Sequence, residues 1–145
     1  MKKKINLMKQ VLLAVLMAVS VMSCSLDDDN NIRYEEEFDA IESVDIPEEF
    51  ELNAVHEISM TYLRPSDCHT FYDFFYQADG NERTVAVRTI YPVGQDCEVL
   101  NDEEVEVSFN FEVLSTETYV FRFYQGEDED GEDIYYIAEV PVAVD

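Results

Sequence analysis

The stretch from residue 103 to residue 114 alternates strictly between polar and apolar side chains. Its apolar members are Val105, Val107, Phe109, Phe111 and Val113, and Glu, Ser or Asn stand between them. Successive side chains of a β-strand point to opposite faces, so this period of two predicts a strand with one buried and one solvated face. A strand of this kind is typical of an antiparallel sheet that covers a core on one side only.

Six further segments follow the same rule less regularly and are rich in β-branched and aromatic residues. They lie at residues 41–46, 55–63, 70–77, 82–91, 118–125 and 134–142. About seven short strands without an amphipathic helix predict an all-β, immunoglobulin-like antiparallel β-sandwich, and a small β-barrel is the alternative. Because the chain has no Trp, the core tryptophan of antibody domains is absent and only the architecture is implied.

The charge balance excludes one class of partner. The chain has 33 acidic against 9 basic residues, which gives a net charge of −24 at pH 7. Phosphates would be repelled at every approach, so nucleic acid is not an expected partner. Hydrophobic residues nevertheless make up 47% of the chain, which is too much for a disordered acidic tail and predicts a folded core.

The chain begins with the pattern of a secretory signal. Lysines at positions 2, 3, 4 and 9 precede an apolar run over residues 11–19. This run is too short to cross a bilayer, which needs about 20 apolar residues, but it suits a signal peptide. We therefore divide the chain into a signal peptide (1–23), an acidic tether (24–40) and a β-sandwich domain (41–145).

The end of this signal, Val21-Met22-Ser23-Cys24, resembles the lipobox of bacterial lipoproteins, although Met22 departs from the small residue usual there. The resemblance implies a diacylglycerol thioether on Cys24, cleavage before it and a membrane partner through the lipid anchor. The acidic run Asp27-Asp28-Asp29 resembles the export signal of surface lipoproteins in the Bacteroidota. It implies a lipid-anchored protein on the outer face of the outer membrane, with the periplasmic face as the alternative. Several acyl chains would make the anchoring effectively permanent.

Three segments of the domain, at residues 61–68, 81–87 and 104–111, resemble small lipoproteins of the Bacteroidota. That resemblance implies fold and location and brings no activity. Since all four lysines precede Cys24, the mature chain would keep five arginines against 33 acidic residues, a net charge of −28.

Two cysteines remain after Cys24, namely Cys68 and Cys97. An even number outside the cytoplasm predicts a disulfide, with two free thiols as the alternative. The expected hairpin turn at residues 78–81 would bring the two strand ends that carry these cysteines together.

Catalytic and metal motifs are weak. Cys68 and His69 are adjacent, so on a strand they would point to opposite faces and form a poor nucleophile–base pair. His56 and His69 lack the short ligand spacings of a zinc site. The loop at 127–133 fails the EF-hand pattern at both ends, which leaves only weak Ca²⁺ binding at Asp128, Asp130 and Asp133 as a remote alternative. We therefore expect no catalytic site, no metal and no cofactor.

The densest aromatic stretch spans residues 71–76. On a regular strand Tyr72, Phe74 and Tyr76 share one face, opposite Phe71, Asp73 and Phe75. One set should be core, and the other, if exposed, would form a sugar-stacking patch. The alternative is that both faces are covered. Together with Arg64, residues Tyr72, Phe74 and Tyr76 are the candidate ligand contacts.

These observations lead to three expectations of function. The first is a non-enzymatic, lipid-anchored binding module whose partner is an envelope protein or a glycan. The second is a surface protein that contacts carbohydrate through the aromatic strand. The third is a small hydrolase, which would require a pocket that brings His56 or His69 near carboxylates.

Overall fold

The computed structural model describes residues 32–144, which form ten strands. The strands are β1 (Tyr34–Asp39), β2 (Ile41–Asp45), β3 (Phe50–Glu51), β4 (Val55–Leu63), β5 (Thr70–Asp79), β6 (Glu82–Pro92), β7 (Glu104–Glu112), β8 (Tyr119–Glu127), β9 (Asp133–Val140) and β10 (Val142–Ala143). None of the described residues belongs to a helix that could span a membrane. The expected signal peptide, Cys24 and the acidic run after it lie outside the described residues.

The strands form a five-stranded and a three-stranded sheet, with β3 and β10 as a short parallel pair. In the five-stranded sheet, one edge of β6 pairs with β5, and the other pairs with β8 along its first half and with β1 along its second. Strand β9 follows β8, and the three-stranded sheet has the order β2-β4-β7. The all-β sandwich is thus confirmed, with ten strands instead of about seven. Most pairings are antiparallel, but β6 and β8 are parallel.

The core lies between the two sheets, as the alternation predicts. The four apolar side chains of β7 and Val113 just after it turn inward, and the polar side chains of β7 are exposed. In β4, which has the predicted bounds, Ile58, Met60 and Tyr62 are buried. Facing them from the five-stranded sheet are Val85, Val87, Tyr119, Phe121 and Phe123.

The predicted tether is too long, because residues 34–39 form strand β1. This strand pairs with Val87–Pro92 of β6 in antiparallel register. Its glutamates find non-local partners: Glu36 with Arg88 at 3.1 Å and Glu37 with His69 at 3.1 Å. An acidic stretch without apolar alternation therefore joins the sheet through its pairing with β6.

The predicted faces of β5 are also wrong, because the strand contains a β-bulge. Phe71 pairs with Thr89 and Asp73 with Arg88, so that Tyr72 is the extra residue. Strict alternation is interrupted at a bulge. Side chains after the extra residue therefore lie on the opposite face from the one that counting from the residues before it would predict. Phe71 and Phe74 consequently both face the core, with ring centroids 5.0 Å apart.

The hairpin between β5 and β6 and the disulfide are as predicted. Asp79 pairs with Glu82 across Gly80 and Asn81, and Gly80 has a φ of 56°, which glycine adopts without strain. Cys68 and Cys97 are joined by a disulfide with Cα atoms 5.7 Å apart. It links the loop before β5 to the loop after β6.

Candidate functional site

The outer face of the five-stranded sheet carries an open cleft of about 570 Å³, here called the aromatic cleft. Strands β5, β8 and β9 each contribute a ring and at least one polar group, β1 contributes a ring, and β6 contributes two small side chains. The lining residues are Phe38, Phe75, Gln77, Thr84, Ala86, Arg122, Tyr124, Glu127, Asp133 and Tyr135. A concave surface of this size, with apolar walls and a few convergent polar groups, is typical of a small-molecule site.

Strand register brings these side chains to one face. Phe75 pairs directly with Ala86, and Tyr124 pairs with Tyr135. Because directly paired residues project on the same side of a sheet, these rings stand beside one another above it. The small side chain of Ala86 between them gives the cleft its floor.

The rings form a continuous wall. The centroid of Phe38 lies 5.8 Å from that of Phe75 and 6.3 Å from that of Tyr124, which in turn lies 6.1 Å from that of Tyr135. Despite these contacts Phe38 is 51% and Phe75 is 38% exposed. Each ring therefore offers free apolar surface to a ligand.

The polar groups of the cleft include donors and acceptors. The guanidinium carbon of Arg122 lies 4.6 Å from the centroid of Tyr135, and Tyr135 donates a hydrogen bond to Asp133 at 3.0 Å. Burial raises the pKa of Tyr124 and of Tyr135, so both phenols keep their protons at neutral pH. Glu127 and Asp133 supply acceptors at one end.

The structure does not bring the four predicted ligand contacts together. Tyr72 lies on the outer face beneath Arg88, whose guanidinium carbon is 5.3 Å from its ring, and it does not line the aromatic cleft. Phe74 faces the core and contacts Phe109 at 5.3 Å. Tyr76 lies at the side of the sandwich, also against Phe109. Arg64 follows β4 and pairs with Glu103 at 2.8 Å.

Sequence reasoning missed most of the cleft, although β8 carried a signal. Its inward residues Tyr119, Phe121 and Phe123 alternate with Val120, Arg122 and Tyr124. Arg122 and Tyr124 occupy the positions of β8 that should face water. An arginine and a tyrosine there favour a binding surface over an ordinary solvated face. The role of Phe38 had no such signal, because it depends on the pairing of β1 with β6.

A second group of polar side chains, here called the polar end cluster, lies near the disulfide. Ser66 Oγ is 2.7 Å from His69 Nδ1, and His69 Nε2 is 3.1 Å from a carboxylate oxygen of Glu37. Since the carboxylate only accepts, Nε2 carries a proton, and in the neutral ring Nδ1 accepts the Ser66 hydroxyl. His69 also stacks on Tyr91 with centroids 4.6 Å apart. His69 therefore does meet a carboxylate, but Ser66 is only 6% exposed and the backbone N–H of Cys68 donates to its Oγ.

The other histidine has a different role. The ring of His56 packs 4.9 Å from that of Phe50, and its Nε2 accepts a hydrogen bond from the backbone N–H of Glu51 at 3.2 Å. These contacts tie β4 to the short strand β3 and give the His56 ring structural partners.

The acidic loop between β8 and β9 uses one of its candidate calcium ligands to shape the turn. Asp128 Oδ1 accepts hydrogen bonds from the backbone N–H groups of Asp130 and Glu132, both at 2.9 Å. Asp133 accepts the Tyr135 hydroxyl. Asp67, Cys68 and Cys97 also meet within metal-ligand distance, but both sulfurs are in the disulfide and cannot act as thiolates. The absence of a metal and a cofactor stays a prediction.

Comparisons of the chain with family models, with curated proteins and with solved structures found no match.

Proposed function

We propose that this is a lipid-anchored envelope protein whose sandwich is a non-enzymatic binding module, with carbohydrate as the ligand of the aromatic cleft. The observation that carries the proposal is the wall of four exposed or half-buried rings beside Arg122 on the outer face of a sheet. A protein of the envelope is the alternative partner of the binding module.

Sugars fit this surface because they combine two kinds of contact. The C–H face of a pyranose is apolar and stacks on aromatic rings such as Phe75 and Phe38, while its hydroxyls both donate and accept hydrogen bonds. Arg122 and the protonated phenol of Tyr124 supply donors, and Asp133 and Gln77 supply acceptors. Apolar walls with a few oriented polar groups provide both affinity and orientation.

Charge favours a neutral sugar. Glu127 and Asp133 lie in the same cleft as Arg122, so the site as a whole does not attract anions. The net charge of the mature chain adds to this repulsion, since the whole chain has 33 acidic residues against five arginines. We therefore expect neutral hexose polymers to bind better than uronic or sialylated glycans.

The anchor and its membrane face are proposed on the sequence alone. The lipobox-like residues before Cys24 and the aspartates after it support attachment to the outer membrane, preferably on the cell surface. Strand β1 begins at Tyr34, so residues 24–33 separate the lipid from the sheet. Ten extended residues reach at most about 35 Å. A domain held this close to the outer leaflet would meet surface glycans.

The binding proposal can be tested with the full-length protein in detergent on an array of neutral and acidic glycans. Tyr124→Ala should weaken the best signal at least about fivefold, since the stacking of a nucleobase on an aromatic side chain, a comparable contact, contributes about 1–3 kcal/mol. Tyr34→Ala is the control, because Tyr34 is a tyrosine of the same sheet that lies outside the cleft and is more exposed than Tyr124. Silence across the array, or equal losses in both variants, would contradict carbohydrate binding in this cleft.

The anchor requires a separate experiment. Metabolic labelling with a palmitate analogue should mark the wild-type protein and leave Cys24→Ser unmarked. Protease treatment of intact cells then distinguishes the two membrane faces: digestion indicates surface display, and protection indicates the periplasmic face. An unmarked wild-type protein that retains residues 1–23 would overturn the lipoprotein assignment without affecting the cleft.

A small hydrolase is the second candidate, and the polar end cluster is the observation that favours it. Serine, histidine and carboxylate follow one another in the order of nucleophile, base and orienting group. Burial of Ser66 and the Cys68 N–H bond to its hydroxyl fit a structural turn better. A serine-directed fluorophosphonate should leave the protein unlabelled; labelling that disappears in Ser66→Ala would establish the hydrolase instead.

A further inference from the structure

The two sheets differ in width, and this leaves one side of the sandwich open. The five-stranded sheet ends in β5 on this side, and the three-stranded sheet ends in β7. Between these two edges runs an open groove of about 580 Å³, here called the lateral groove. Among the described residues, no strand pairs with the outer edge of either β5 or β7.

The groove exposes apolar surface that belongs to the inner faces of the sheets. Phe74 and Tyr76 reach into it from β5 and meet Phe109 of β7, with centroids 5.3 and 6.0 Å apart. Tyr76 remains 45% exposed, and Leu114, just beyond β7, is 70% exposed. A fourth strand beside β7 would cover these side chains, because it would extend the narrower sheet over the inner face of β5.

The open edge of β7 is strongly acidic on its outward side. Glu104, Glu106 and Glu112 are exposed there, and none of them forms an ion pair with the described residues. In an added strand, the residues directly beside these glutamates would project on the same side. Carboxylates on an edge strand also oppose pairing with acidic strands and with a second copy of this edge.

We propose that the lateral groove binds an extended segment of a second, cationic polypeptide, which adds to β7 as a fourth strand of the narrower sheet. Alternate apolar side chains of the segment would enter the groove against Phe109 and Tyr76. Its intervening lysines or arginines would lie beside Glu106 and Glu112. Backbone pairing then supplies affinity, and the alternation of apolar and basic residues supplies specificity. This site is separate from the aromatic cleft and independent of its ligand.

Charge complementarity selects this occupant over two others. In the proposed mature chain, residues 24–31 precede the described residues; they contain Asp27, Asp28 and Asp29 and no basic residue, and are therefore repelled by the glutamates of β7. A second copy of the chain brings the same excess of acidic residues, both over the whole molecule and along its own β7. A basic segment is attracted by the carboxylates of β7, and in the proposed register its apolar side chains, not its basic ones, face Arg83 in the groove.

The probe is a fluorescent peptide of about eight residues with alternating valine and lysine, titrated against the full-length protein in detergent at physiological salt. A peptide of the same composition with its valines and lysines in two blocks should bind at least tenfold more weakly. A peptide of alternating valine and glutamate should not bind. In hydrogen exchange, the alternating peptide should slow the amides of β7 and leave those of β9 unchanged.

Two charge-reversal variants distinguish strand addition at β7 from non-specific attraction of the basic peptide to the acidic protein. Glu112→Lys should weaken binding of the valine–lysine peptide roughly five- to tenfold, since it replaces an attractive neighbour by a repulsive one. Glu139→Lys changes the net charge equally on exposed β9 and should leave affinity within about twofold. Equal losses in the two variants, equal binding of the block peptide, or unchanged exchange in β7 would overturn the proposal. So would a dimer through β7 in sedimentation, which would make a second copy the occupant.

Discussion

The two outer faces of the sandwich are built on the same core but differ in kind. On the three-stranded sheet, short polar side chains satisfy one another: Ser43 and Thr61 hydroxyls are 2.6 Å apart, and Ser108 donates to Glu57 at 2.7 Å. On the five-stranded sheet, rings and two arginines occupy the equivalent outward register. The alternation that builds the core leaves the outward register free, and only the five-stranded sheet fills it with a cluster of aromatic rings.

The largest effect should come from the core that the two faces share. Phe121 is fully buried and contacts the rings of Phe50, Phe111 and Phe123. Phe121→Ala should lower the free energy of unfolding by about 3–5 kcal/mol, because it leaves a cavity that its neighbours cannot fill. Urea denaturation measures the loss. Thr61→Ala on the polar outer face should remain within about 0.5 kcal/mol of wild type; a similar loss in both variants would contradict the division into core and outward register.

The disulfide should stabilise the two sheets unequally. It closes a loop of 29 residues that contains β5 and β6 of the wider sheet. In the chain-entropy model, Cys68→Ala/Cys97→Ala costs roughly 3–4 kcal/mol. Hydrogen exchange on the variant should accelerate first in β5 and β6, with the β4–β7 ladder retaining more protection. Uniform acceleration in both sheets would show instead that the sandwich opens as one cooperative unit.

The sequence predicted those parts of the fold that local patterns determine. Alternation placed β7 and β4, since the faces of a strand follow directly from its side-chain period. The pairing of Cys68 with Cys97 followed from the two-residue turn at Gly80 and Asn81, which brings the ends of the hairpin together.

Parts that depend on non-local pairing were missed. Strand β1 carries three consecutive glutamates and joins the sheet by pairing with β6; two of these glutamates contact His69 and Arg88, more than 30 positions away in the chain. The bulge at Tyr72 has no signal in a stretch where five of six residues, 71–76, are aromatic, yet it decides which rings of β5 face the core. The aromatic cleft forms only when strand β1, the bulge in β5 and the register of β8 with β9 occur together. No single segment of the sequence therefore indicates it.

Neighbouring phenylalanines on β5 offer a test of the bulge and of the two faces at once. Phe74 packs between Phe71 and Phe109, whereas Phe75 stands on the outer face against Phe38. Phe74→Ala should destabilise the domain by about 2–4 kcal/mol, and Phe75→Ala by less than about 1 kcal/mol. Glycan binding should be lost in Phe75→Ala under conditions in which the variant is folded. The reverse order of stabilities would restore the regular alternation and remove Phe75 from the cleft.

The smallest effect concerns Asp39, the last residue of β1, where the chain passes from the wider to the narrower sheet. Burial raises the pKa of this carboxyl, against the opposing effect of the hydrogen bond that Thr89 Oγ1 donates at 2.6 Å. The folded state therefore binds a proton more readily than the unfolded state. The contribution of Asp39 to stability is largest below its usual pKa of about 3.9 and is lost as the pH rises through the raised value.

Asp39→Asn keeps an acceptor for Thr89 and removes the buried charge. It should raise the Tm by a few degrees at pH 7, and the difference from wild type should shrink as the pH falls towards about 4. Asp45→Asn, on exposed β2, is the control for loss of one negative charge in this acidic protein. If Asp39→Asn lowers the Tm at pH 7, the bond from Thr89 to the carboxylate outweighs burial, and the junction between the two sheets is held together by a charge.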